Sequence, residues 1–271
     1  MPTLDQLRGG FPAGPLDARR IAAVLEQPGC ARRMTLDAAR VHLNRLARLL
    51  GAPEARQSPF AITRGNAFER LVTENGMAML IAVARETLHL PLTEIRQIDL
   101  SAAQVSATFG RNDSRLRLRL TQQRLREMLS GDGLAANLLR HPLLSVAVAG
   151  VDQYVEADAL ALVNHGALHI IEIKSFQAID GRPSERKVAE TALQAAVYVL
   201  ALQDIAVSIG FSPQVVSTRV LLILPRNFSF TPVGYVVDVR SRLSRLRRQL
   251  ALLPSATAIA ETLDQIGRAH V

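Results

Sequence analysis

Apolar residues recur at helical spacing over residues 17–26 and 35–50, and Gly51-Ala-Pro53 closes the second stretch. The same period over 65–88 predicts a long helix, broken or bent near Gly76. Residues 92–110 fit neither the helical nor the strand period. Asn112-Asp113 then offers a cap for a basic helix running to Leu129, although Leu116-Arg-Leu-Arg-Leu120 also alternates as a strand does. From Ser145 the pattern changes to short β-rich runs at 145–150, 153–163 and 168–175, which predict a three-stranded meander. A helix over 184–208, a strand over 218–224 stopped by Pro225, a candidate strand at 234–239 and a helix over 240–252 follow. The order predicts an α/β domain with a mixed sheet flanked by helices. We divide it into a helical N-terminal region (1–60), a central domain (61–240) with a helical insertion near 90–142, and a C-terminal helix and tail (241–271).

Composition narrows this picture. At 271 residues and 48% apolar, the chain has material for one large core or two small ones, and disorder is not expected. A formal net charge of +8 favours a polyanionic partner, nucleic acid ahead of acidic membrane; arginines that merely solvate helices are the alternative. Cys30 is the single cysteine, which excludes an internal disulfide and a cysteine-ligated cluster within the chain. Acids and prolines interrupt the first thirty residues, and apolar stretches such as 76–84 are too short to span a bilayer. A soluble cytoplasmic protein that does not engage a membrane is the expectation. The last residues, Ile266-Gly-Arg-Ala-His-Val271, resemble a translated sequencing adapter, so the natural chain is expected to continue past Gln265.

Candidate chemistry begins with lysine, of which the chain has two among its 32 basic residues. Lys174 follows Glu172 by two places in the apolar run His169-Ile-Ile-Glu-Ile-Lys174, so on a strand both side chains share one face. Burying charge there needs partners. The turn Asn164-His-Gly166 fits a three-residue hairpin loop, with Gly166 in the left-handed conformation. That register pairs Val163 with Ala167 and sets Asp158 opposite Glu172, two carboxylates that a divalent cation would bring together. Glu156 shares the face, as an auxiliary ligand or a rim residue. A half-exposed hairpin with charges on its wet face is the alternative, against which the apolar Leu168, Ile170, Ile171 and Ile173 argue for a central strand. On the following helix Gln194 and Tyr198 lie one turn apart, on a stripe with Lys187 and Glu190.

Asp158, then Glu172-Ile-Lys174, then Gln194-Ala-Ala-Val-Tyr198 together resemble the PD-(D/E)XK nuclease superfamily. The Gln-x-x-x-Tyr element is similar to that of RecB-type nuclease domains and the related CRISPR adaptation nucleases. The resemblance covers 156–198 and extends loosely to 218–224. It implies a restriction-endonuclease-like core of order α-β-β-β-α-β and a Mg²⁺- or Mn²⁺-dependent nuclease, DNA being the expected substrate. Asp158 and Glu172, with the Ile173 carbonyl, would hold the cation. Lys174 would act on charge in the reaction, and Gln194, Tyr198 and Lys187 would position the nucleic acid. Arg64-Gly-Asn-Ala-Phe-Glu69 supplies either a further metal ligand in Glu69 or a solvated helix residue. The cysteines that carry iron–sulfur in many CRISPR-type relatives are absent, so no such cluster is expected. A helicase or defence complex is the expected kind of partner, in repair, recombination or defence. The rival readings are a nuclease-fold DNA-binding or assembly module without catalysis, and an unrelated α/β scaffold. His165 reads as a turn residue and His169 as facing away from Glu172. The arginines at 115, 117, 119, 124 and 126 read as a solvated face or as phosphate contacts.

Overall fold

The computed structural model describes residues 8–14, 17–26, 30–53, 58–89, 95–111, 113–131, 136–157, 159–164, 167–255, 258 and 261. The predicted helix over 35–50 is two helices, α2 (Ala31–Ala38) and α3 (Leu43–Leu49), which follow α1 (Ala18–Glu26). Side chains, not propensity, break it. Buried Asp37 receives the guanidinium groups of Arg20 and Arg33, and Arg20 Nη2 donates to the Val41 carbonyl at 2.9 Å. Arg40, at φ 53°, is bonded twice to Gly14: Gly14 N–H donates to Arg40 O at 2.7 Å, and the Arg40 side-chain Nε donates to Gly14 O at 2.9 Å.

The predicted helix over 65–88 also divides, into α4 (Pro59–Thr73) and α5 (Ala78–Leu88), about a turn in which Asn75, Gly76 and Met77 all have positive φ. α4 starts earlier than the apolar period suggests, because Ser58 accepts from Ala61 N–H at 3.1 Å and Pro59 occupies the first helical position. The region expected as a helical insertion is mixed: β1 (Gln97–Asp99), α6 (Ala102–Phe109), α7 (Ser114–Leu129) and β2 (Leu138–Arg140). Asp113 caps α7 by accepting from Leu116 N–H at 2.7 Å, which decides the helix against the alternating-strand reading of 116–120.

The expected meander is two hairpins. β3 (Leu143–Val148) and β4 (Val151–Glu156) pair through Ala149 and Gly150, both at positive φ as a two-residue turn requires. β5 (Ala159–Asn164) and β6 (Ala167–Ile173) form the second hairpin, so the predicted run 153–163 breaks at Ala157. A two-residue pair, β7 (Ala178–Ile179) and β8 (Arg182–Pro183), precedes the long α8 (Glu185–Ser208). β9 (Arg219–Pro225), β10 (Pro232–Asp238) and α9 (Arg240–Leu252) complete the described elements. The main sheet runs β1-β2-β5-β6-β9-β10, with β1–β2 and β6–β9 parallel and the other pairs antiparallel. The fold is thus mixed α/β, and β6 is a central strand.

Alternation along β6 and β9 divides the core by sheet face. Leu168, Ile170, Val220, Leu222 and Leu224 meet α8 and α1, whereas Ile171, Ile173, Leu221 and Ile223 meet α4 and α5. Ala18, Ile21 and Ala22 of α1 belong to the first cluster, so this N-terminal helix shares the central core. Helix α8 has the length and apolarity of a membrane span, but 72% of that window is buried within the protein, where it serves as the core helix.

Candidate active site

β6 delivers Glu172 to the α8 face with 0% exposure. Lys174, one residue past the strand, keeps that direction because its N–H donates to Ile223 O at 3.0 Å, continuing the parallel ladder with β9. Its ammonium pairs with the Glu172 carboxylate. The lysine side chain is 15% exposed, so the cation stands between a buried acid and the space beyond.

That space is a cleft of about 380 Å³ between the end of β6, α8 and α1. Lys174, Ser175 and Phe176 form one wall, Lys187, Glu190 and Gln194 another, and Arg19 of α1 the third. With Lys174 paired to Glu172, Arg19 and Lys187 against Glu190 leave the lining net cationic, which favours an anion. Lys187 Nζ lies 5.7 Å from the centre of the Phe176 ring, within cation–π range.

Gln194 lines the cleft, whereas Tyr198 lies behind it at 3% exposure. Gln194 Nε2 donates to the Tyr198 hydroxyl at 3.2 Å, and that hydroxyl donates to the Glu156 carbonyl at 3.1 Å. Tyr198 therefore holds Gln194 and ties α8 to the end of β4, two residues before Asp158. Glu156 points its carboxylate elsewhere, onto Arg117 Nη2 at 2.5 Å and His141 Nδ1 at 3.6 Å, which excludes it as an auxiliary ligand in this arrangement. That carboxylate raises His141 above its ordinary value against the effect of burial. Burial pushes Glu156 up, but His141 and Arg117 outweigh it and the group ends below the usual carboxylate range.

The hairpin register differs from expectation at the turn and returns to it further on. Asn164, not Val163, pairs with Ala167, so two residues rather than three join the strands. An irregularity between Ala159 and Ala161 then shifts the pairing and sets Ala159 opposite Ile171, the partner that the three-residue loop would have given it. Asp158, His165 and Gly166 lie outside the described residues.

Glu69 belongs to α4, whose Phe68 and Val72 pack with Ile171 and Ile173 on the face opposite Glu172. One turn earlier, Gly65 abuts the strand end: a Cβ on it would stand 3.5 Å from Ser175 Oγ. Glu69 is half-buried on that helix, four residues after Gly65. His169 shares the Ile171 face, and burial, with Arg219 adding, holds its imidazole below the ordinary value. Among the described residues, no three His, Cys, Asp or Glu side chains gather as a metal-holding group.

No protein-family model matches the chain, and no curated protein does. Among solved structures it is similar to SSO0001 at 15% identity, over 64% of this chain and 84% of that one, with a TM-score of 0.26. A likeness of that size carries no argument about fold or function.

Proposed function

We propose that the protein is a metal-dependent nuclease that hydrolyses phosphodiester bonds in DNA. The observation that carries this reading is the buried Glu172 carboxylate, paired at the end of a central strand with Lys174, whose side chain lines a basic cleft together with Gln194 and Lys187. A restriction-endonuclease-like core is supported by the connection itself: an antiparallel hairpin, the crossover helix α8, and β9 returning parallel to β6.

The donors assigned to the cation are hard oxygens: the Glu172 carboxylate and the Ile173 carbonyl at the strand end, with Asp158, outside the described residues, taken from the sequence pattern alone. Glu69 is the candidate fourth. Such a set suits Mg²⁺ or Mn²⁺. A bound cation of this kind supplies a more acidic water and a polarised phosphate. Lys174 carries its charge to the place where phosphoryl oxygens become more negative. Gln194, held by Tyr198, orients the strand, and Lys187 contacts the backbone as a point charge. A repair, recombination or defence complex in the cytoplasm, with a helicase as one candidate partner, is the setting this chemistry fits.

A second reading is a binding module without catalysis. It is favoured by the ion pair, in which Lys174 already answers Glu172. Incubating DNA with the purified protein and Mg²⁺ or Mn²⁺, with and without EDTA, separates the two. Lys174→Ala is expected to lower cleavage by about a hundredfold or more. Because it also strands a buried carboxylate, the neutral pair Glu172→Gln/Lys174→Met serves as the folded control. It should melt cooperatively and cut no DNA. Wild-type cleavage by that double variant would take catalysis away from this site, hydrolysis in excess EDTA would take the metal out of the mechanism, and no cleavage with either cation would leave the binding module as the function.

A further inference from the structure

The segment that leaves the cleft leads onto an aromatic surface. After Lys174, Ser175 and Phe176, the Gln177 amide oxygen accepts from Arg64 Nη1 at 3.0 Å in the orientation that satisfies both groups. The Arg64 guanidinium lies 5.7 Å from the centre of the Phe230 ring, which stacks at 6.2 Å on buried Phe68. Phe60, one turn before Arg64 on α4, is 76% exposed, Phe228 in the β9–β10 turn is 78% exposed, and Phe230 is 41% exposed. Three of the chain's eight phenylalanines, Phe60 on α4 and Phe228 and Phe230 in the turn that Phe230 stacks against α4, are therefore open to solvent near arginine.

The β9–β10 turn is tied to the segment that leaves the cleft. Asn227 N–H donates to Ala178 O at 2.8 Å, and Asp180 N–H donates to Asn227 Oδ1 at 2.7 Å, binding the turn that carries Phe228 to the chain just after Gln177. Gln177 stands three positions after Lys174, a span of at most about 11 Å. Exposed Arg182 and Arg226 flank the surface, with Asp180 as the acidic exception.

We propose that this surface is a stacking platform for unpaired bases, so that the protein engages single-stranded DNA, or a frayed end, leading into the cleft. The inference rests on the nuclease reading for its direction, but not for its chemistry. Aromatic faces beside guanidinium groups grip bases without regard to sequence, and a paired, stacked duplex cannot offer its base faces. The adjoining cleft supplies the cations that the phosphates need.

The chain contains no tryptophan, so Phe228→Trp introduces a single reporter at the platform. With EDTA present to prevent cleavage, titration with oligothymidine should quench its fluorescence, and a blunt duplex of equal length should leave it nearly unchanged. In anisotropy titrations Phe60→Ala/Phe228→Ala should weaken single-strand binding by about tenfold or more. A Leu50→Ala control, equally exposed elsewhere, should bind as wild type. An unquenched reporter with undiminished single-strand affinity would overturn the proposal and make the surface a protein-docking face. Equal losses on single strand and duplex would overturn it too. Loss of single-strand binding in a protein that never cleaves would keep the platform and discard the nuclease.

Discussion

Arg117 sits in a helix whose neighbouring arginines are exposed, yet it is 7% exposed itself. Its Nε donates to Leu100 O at 3.0 Å, and its Nη2 donates to His141 O at 3.1 Å and to Glu156. The sequence reading placed it with Arg115 and Arg119 on a solvated or phosphate-binding face. No local pattern separates the three, because burial here is decided by β4 and the loop before β3. Arg117→Ala is expected to cost about 2 kcal/mol or more, chiefly because it leaves the Leu100 and His141 carbonyls without their donor, the pair with the partly exposed Glu156 adding less. Arg119→Ala should stay within about 0.5 kcal/mol, both read from urea unfolding. The same cluster makes stability depend on pH. His141 is raised by Glu156, so its contribution is complete below pH 6.5 and fades as pH climbs through the higher folded value. Glu156 is lowered, so its share is present above pH 4.5 and fades as pH falls through the lower folded value. His141 has φ 48°, a conformation asparagine tolerates, so His141→Asn removes the titration without straining the turn. Wild type should exceed this variant by about 1 kcal/mol at most near pH 5.5, and the gap should close by about pH 9. A gap independent of pH would mean that packing, not charge, holds the cluster.

At the scale of elements, periodicity located the longer helices and the strands from β3 to β6, β9 and β10, but not β1, α6, β2 or the short β7–β8 pair. Ser58-Pro59 marked the true start of α4 in plain view, but the apolar period drew the boundary further on. The split of α2 from α3 was not legible, because Asp37, Arg20 and Gly14 act across the fold. In the β5–β6 hairpin a loop one residue too long and a missed irregularity offset each other at Ala159, since each changes the pairing by one. The strand pair that carries the candidate site was thus correctly oriented at Ala159–Ile171 for an incomplete reason. One contact between elements offers a sharp test. α5 crosses β10 at Gly234, where a Cβ would meet Thr87 Oγ1 at 2.1 Å and Val83 Cγ1 at 2.9 Å. Gly234→Ala should destabilise by about 1–3 kcal/mol through overpacking, and Thr87→Ala should recover part of that loss in the double variant. Additive losses in thermal melts would show that α5 does not rest on this glycine.

Across the whole molecule, the +8 charge and the two lysines meet in the cleft, where Lys174 is paired and mostly enclosed while Lys187 is exposed on α8. The positions have different physics. An exposed ammonium near phosphates displaces counterions, so it strengthens binding and steepens its dependence on salt. An enclosed ammonium against a carboxylate is neutralised in the ground state and contributes little to affinity. Its effect belongs to the transition state, where the phosphoryl charge grows. Lys187→Ala should therefore weaken DNA binding and reduce the slope of log K against log salt by about 0.7 on single strands and about 0.9 on duplex. The cleavage rate of saturated complex should change far less. The Glu172→Gln/Lys174→Met pair should do the reverse, leaving the salt slope within error of wild type while abolishing turnover. Binding isotherms at several salt concentrations, paired with single-turnover rates at saturating protein, measure both quantities on the same substrate. If Lys187→Ala leaves the slope unchanged, the phosphates do not pass over α8, and the cleft must be entered from the α1 side, past Arg19.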